Sequence, residues 1–329
     1  MAHAAVEQAT SPVGRVGATA RALQFVLHAL AVAMAATPVL GPLGLGLMEY
    51  RTSPTTLNQL LGSDAAMLFV GAPIVLVAAA LFRRGHPAAP FLTVGVAGYV
   101  LYTYAQVIIG QEYLRLPGNV ERFFPLLLGV FILAEAALVM AWRAMPPQPQ
   151  LSHGVRRMSG LVLIAVAAFL VLGLHLRSVV IAWSDPDRLV EYVSSPTPFW
   201  LVKLMDLGIV VPVALATGVG LLRGASWANR AAYVVLTGYT CLAISVATMG
   251  LIMYDNGDPG ASLSLTTGLI GFAAVLVVLT LNLYRPLLGG SVNEGGTTRT
   301  IGGPGEVEPE RDQLERGPDP ATTLDEIGG

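Results

Sequence analysis

Eight separate runs of about twenty apolar residues constrain this chain more than any other feature, because about 20 residues of helix cross a hydrocarbon core. In lipid only a helix or a closed barrel satisfies its own backbone hydrogen bonds. The runs fall at 22–46, 64–82, 89–111, 123–143, 159–181, 199–222, 230–254 and 261–285. They predict an all-α transmembrane bundle of eight spans in contact with the lipid bilayer. Only 12% of the residues are charged, against about 25% in a soluble domain. A soluble enzyme is thereby excluded. The 19 basic and 21 acidic residues nearly balance and leave no basic face for a nucleic acid. Cys241 is the only cysteine, so neither a disulfide nor a cysteine metal site is available.

Arginine placement predicts the orientation, since short cytoplasmic loops retain positive charge. Arg15, Arg21, Arg83, Arg84, Arg143, Arg156, Arg157, Arg223, Arg230 and Arg285 all fall on one side. The opposite side holds Arg51, Arg115, Arg122, Arg177, Arg188 and Lys203, diluted by eight acidic residues from Glu49 to Asp258. Both termini are therefore expected in the cytoplasm of a plasma-membrane protein. The first run is too long for a signal peptide and reads as an uncleaved span. The acidic segment 286–329, rich in Gly and Pro, has too few large apolar side chains to offset its ordering entropy and reads as a disordered tail. A partner for this tail is unknown.

At an offset of 142 residues, Glu49-Tyr50-Arg51-Thr52-Ser53-Pro54-Thr55 matches Glu191-Tyr192-Val193-Ser194-Ser195-Pro196-Thr197, with five of seven positions identical. An aspartate follows each proline after ten residues, at Asp64 and Asp206, and Pro73 answers Pro212 across a short gap. Such fixed-offset similarity predicts two four-span repeats, 22–143 and 159–285. They follow a cytoplasmic N-terminal segment 1–21 and are joined by a linker at 144–158. Four spans return the chain to its starting side, so the copies are expected to be parallel, related by an axis along the membrane normal. Ser53 and Ser195 are placed as N-caps with proline at the first helical position. Pro73 and Pro212 are expected to kink their helices.

Ionisable residues inside spans are costly and point to function. Glu135 lies near the centre of the fourth span, while Asp64 and Asp206 sit about 15 Å along the helices that start at Pro54 and Pro196. Lys203, three residues before Asp206, has the spacing of a helical ion pair. In the third span Tyr99, Tyr102 and Gln106 share a face, either lining a cavity or forming a hydrogen-bonded seam between helices. Glu135, Asp206, Asp64, Tyr102 and Gln106 are thus the candidate pathway for an ion or small solute. His28 and His175 differ in depth by roughly 15 Å, too far for one haem, so neither a metal nor another cofactor is expected. No Walker A loop, Gly-x-Ser-x-Gly elbow or His-Glu-x-x-His helix is present, and no enzyme is expected.

The segments Leu101-Tyr102-Thr103-Tyr104-Ala105 and Met205-Asp206-Leu207-Gly208-Ile209-Val210-Val211-Pro212 resemble those of uncharacterised bacterial eight-span integral membrane proteins with no assigned function. The resemblance implies a multi-pass location and transfers no catalytic residue. The residues themselves favour a permease or channel-like protein for a proton, ion or small solute. The alternative is a non-transporting scaffold or accessory subunit whose polar residues glue helices together.

Overall fold

The computed structural model describes residues 12–146 and 150–289. Among the described residues eight helices are long and apolar enough to cross a membrane: α1 Ala20–Leu40, α2 Pro54–Arg83, α3 Ala88–Ile109, α4 Val120–Arg143, α5 His153–Ser184, α6 Pro196–Leu222, α7 Ser226–Asp255 and α8 Leu263–Leu288. No strand occurs among the described residues. The chain is an all-α, multi-pass membrane protein. The tail beyond Gly289, residues 1–11 and the linker residues 147–149 lie outside the described residues.

Boundaries moved where turn chemistry outweighs hydropathy. The first span ends at Leu40 rather than at 46, because Gly41-Pro42-Leu43-Gly44-Leu45-Gly46 folds into a turn with Gly46 at φ 63°. The second span starts ten residues earlier than its apolar run. Ser53 Oγ accepts from the Thr56 N–H and Pro54 opens the helix, so the N-cap sets the start. Ser195 also stands at a helix start, but its hydroxyl makes no such cap. It accepts instead from the Ser53 N–H at 3.4 Å. The exposed N–H of Thr197 is capped by Glu112 Oε1 at 2.8 Å, a carboxylate at the positive end of a helix.

Three helices contain a wide π turn. Met67–Gly71 in α2 and Asp206–Val210 in α6 each end two residues before a proline, Pro73 and Pro212. A proline removes one N–H from the ladder. Bonding across five residues, as from Ala72 N to Met67 O and from Val211 N to Asp206 O, lets the chain re-enter an α-helix with the proline in its first turn. The third π turn, Phe169–His175 in α5, has no proline.

Helices α1 to α4 pack around a filled core that includes Leu30, Met34, Met67, Tyr99, Leu127 and Val130. Helix α1 lies along both α2 and α4, and α3 along α2 and α4. In the second set α5 packs on α6, and α7 on α6 and α8. The α5 and α8 helices, however, make only a sparse contact that includes the Phe169–Phe272 ring pair, centroids 5.5 Å apart. Between the sets α7 crosses α2 and α3 closely, aided by Gly62 against the Met249 backbone and by Gly95 facing Gly238.

One end of the bundle carries the connections 41–53, 110–119, 185–195 and 256–262, and is called the loop face. The 41–53 and 110–119 segments are laced by backbone pairs, Glu112 N to Arg51 O at 2.8 Å and Asn119 N to Glu49 O at 3.0 Å. Arg51 also donates to the Leu116 carbonyl and bonds Glu121. Gly118, at φ 148°, sits where a Cβ would come within 2.8 Å of Glu49 O and the Arg51 stem, so glycine is required there.

Candidate functional site

Asp206 opens the π turn of α6, about 15 Å below the loop-face end of that helix at 1.5 Å per residue. Its carboxylate is buried and bridges two neighbouring helices. Tyr102 Oη of α3 donates to Oδ1 at 2.5 Å, and His175 Nε2 of α5 meets Oδ2 at 2.7 Å. A lone buried carboxylate is strongly disfavoured, and a histidine that can carry the opposite charge plus a phenol donor offset that cost. Beside it, Tyr239 Oη of α7 donates to the Val210 carbonyl at the end of the same π turn.

Asp206, Tyr102 and Tyr239 border a cavity of about 150 Å³ walled by α2, α3, α5, α6, α7 and α8. Tyr102, Gln106 and Asp206 all line it, so three of the five candidate pathway residues meet there. The rest of the wall is mostly aliphatic and aromatic, including Leu170, Phe272 and Leu276. Gln106, one turn along α3, reaches the Tyr102 phenol with its side chain. A second void of about 50 Å³ shares Gln59, Gln106, Val202 and Met249 with the cavity and reaches Thr56, Gly110 and Pro198 near the loop face. Toward the other face α5 and α6 close on each other at Gly160 and Gly218, where an added Cβ on Gly218 would lie 2.9 Å from the Gly160 carbonyl. Voids adjoin the Asp206 cavity on both sides, the one toward the loop face and another of about 180 Å³ between α3, α6 and α7 that shares Tyr102, Val210, Tyr239 and Leu242 with it.

The remaining candidates lie elsewhere. Glu135 is exposed on the outer face of α4, in line with Leu128, Ile132 and Val139 at helical spacing. The inward face of α4 is Leu127, Val130, Ala134, Ala137 and Ala141, which turns Glu135 away from the bundle. A cavity shared by Glu135, Asp206 and Tyr102 is thus not formed. Asp64 is buried in the first set and lines none of the voids around Asp206. Its Oδ2 accepts from Tyr50 Oη at 2.8 Å, which ties the 41–53 segment to α2. The Lys203–Asp206 pair is also not formed. Lys203 Nζ rests 3.4 Å from the centroid of the Phe199 ring, one turn back, while tyrosine and histidine from other helices take the carboxylate.

Burial, followed by the charge of Asp64, pushes the Tyr50 phenol well above its ordinary value of 10.0, so it remains a donor in the folded chain. That stability is complete below the unfolded phenol's pKa and is lost as pH rises toward the folded value. Tyr50→Phe leaves the buried Asp64 carboxyl without this donor and is expected to lower stability by about 1–3 kcal/mol. Thermal unfolding in detergent, followed by size-exclusion recovery, measures this, and an unchanged midpoint would remove the bond from the account.

His175 is not among the candidate residues of the sequence, where its depth is compared with that of His28 alone, yet it matches the depth of Asp206. His175 lies nine residues from the loop-face end of α5 and Asp206 ten from that of α6. Depth matching between adjacent antiparallel spans is the signal that finds the pair.

No known protein family matches this chain, and neither do the curated proteins or the solved structures with which it was compared.

Proposed function

We propose that this chain is a plasma-membrane permease that moves a proton, an ion or a small solute by way of Asp206. Its path enters from the loop face through the void bordered by Gln59 and Gln106 and reaches the carboxylate near mid-membrane. The observation that carries this reading is the meeting of Tyr102, Gln106 and Asp206, with His175 bonded to Asp206, around one cavity between the helices. Polar groups that merely glued helices would have no reason to border empty space. The test is flux in vesicles reconstituted with the full chain, comparing wild type, Asp206→Asn and Glu135→Gln. Flux is expected to fall in the first variant and to be unchanged in the second, because Glu135 faces outward. Absence of Asp206-dependent flux for protons, alkali cations and small organic solutes would favour the scaffold reading instead.

The two-repeat architecture is part of this proposal. In a parallel duplication, equivalent residues that touch must lie on the pseudo-two-fold axis. Ser53 meets Ser195, 142 positions later, and Gly95 meets Gly238, 143 positions later. The paired π turns ahead of Pro73 and Pro212 support the same relation. A site beside a repeat interface is the common arrangement in transporters.

The loop face is read as extracytoplasmic and both termini as cytoplasmic. Reporter fusions after Arg84 and after Asp258 are expected to give opposite compartments. The same compartment for both would overturn the topology.

A further inference from the structure

We infer that a cavity at the end of the bundle away from the loop face holds the headgroup of an anionic phospholipid. None of its residues borders the Asp206 cavity, so this lipid site stands or falls independently of the permease reading. Helices α1 and α3 start here and α2 and α4 end, leaving a space of about 640 Å³ between them. Leu23 of α1, Phe82 of α2, Pro90 of α3 and Met140 of α4 make most of its wall apolar. Two groups on that wall can bind an anion. Arg143, in the last turn of α4, is exposed and presents a planar fork of N–H donors. His86, in the turn between α2 and α3, accepts the Ala88 N–H at Nδ1, 3.2 Å away. Its ring hydrogen therefore sits on Nε2, which is left to donate.

The surroundings select a net negative charge. Among the described residues this end carries no aspartate or glutamate, while Arg83, Arg84, Arg223 and Arg230 stand on it besides Arg143. Arg230 Nη2 donates to the carbonyl of Pro146, a wall residue of the cavity, at 3.1 Å and fixes a second guanidinium there. The start of α3 adds the positive end of its helix dipole. A phosphodiester answers both donors, because a guanidinium pairs two phosphate oxygens side by side and the His86 Nε2–H supplies a further bond. Free phosphate would leave Leu23, Phe82 and Met140 uncovered. The glycerol and first methylenes of a lipid cover them, and each buried methylene adds to affinity. A zwitterionic headgroup brings a cation to an end with no acid to receive it, so the anionic headgroup is preferred.

The experiment is native mass spectrometry of the full chain released from detergent micelles holding equal amounts of dioleoyl phosphatidylglycerol and dioleoyl phosphatidylcholine. Wild type is expected to retain phosphatidylglycerol at least about fivefold over phosphatidylcholine, the factor that about 1 kcal/mol per arginine implies. Arg143→Gln should lower that preference by about the same factor. Arg285→Gln, an equal loss of charge at the same end but outside the cavity, should leave it unchanged. His86→Ala should lower it too, whereas His86→Gln, which keeps an N–H donor near the Nε2 position, should retain it. Excess inorganic phosphate is expected not to displace the lipid. Thermal midpoints taken without lipid separate lost binding from lost folding, and if Arg143→Gln melts below wild type the two His86 variants decide. Equal retention of both lipids by wild type overturns the inference. An Arg285→Gln effect as large as that of Arg143→Gln overturns it as well, since the charge would then act as a diffuse surface. Displacement by inorganic phosphate overturns the lipid assignment in favour of a free anion. Equal behaviour of the two His86 variants overturns the part given to Nε2.

Discussion

Asp206→Asn is expected to cut vesicle flux by about 10- to 100-fold while leaving the protein folded. The asparagine carbonyl still accepts from Tyr102, so the packing of α3 on α6 survives. What is lost is the negative charge facing His175 Nε2 at 2.7 Å. Hydrogen bonds to charged groups contribute about 1.5–3 kcal/mol each, and 1.4 kcal/mol corresponds to about tenfold in an equilibrium. Loss of one such interaction at the proposed binding site gives the stated range. Tyr102→Phe removes only a neutral donor and should cost less. The measurement is initial flux at matched protein density, beside a thermal unfolding midpoint for each variant. A variant that melts with wild type and transports at the wild-type rate would show that the Asp206–His175 pair is only structural.

Gly62→Leu is expected to have the largest effect on folding. An ideal Cβ at Gly62 would lie 2.3 Å from Met249 Cα, 2.5 Å from its nitrogen and 2.8 Å from the Thr248 carbonyl carbon. All three are backbone atoms of α7 and cannot rotate aside as a side chain could. Overpacking of a core by side chains costs about 1–3 kcal/mol, and a clash with helix backbone should reach or exceed the top of that range. The α2 and α7 helices would have to separate along the contact that joins the two four-helix sets, breaking the Ser63–Ser245 and Asn58–Asp258 bonds. Recovery of monodisperse protein after heating in detergent should fall sharply relative to wild type. Gly98→Leu is the control, because a Cβ there meets nothing within 4 Å. Equal behaviour of the two variants would refute the claim that close approach at Gly62 is required.

Hydropathy by itself determined that this chain forms eight helices, because a backbone in lipid has no other way to pair its N–H and C=O groups. Cap and proline positions likewise fixed local events, the helix start at Ser53–Pro54 and the disturbances ahead of Pro73 and Pro212, since those depend on neighbours a few residues away. Which polar side chains meet was decided only by the tertiary structure. Glu135 and Asp206 look alike along the chain, yet one faces outward and the other lies beside a cavity, because the azimuth of a helix is set by what it packs against. The spacing of Lys203 and Asp206 suggested an ion pair on one helix, but a tyrosine and a histidine from α3 and α5 reach the carboxylate first. Interactions three or four residues apart can be read from a sequence. The 31 positions between His175 and Asp206, and the 104 between Tyr102 and Asp206, are closed only by packing.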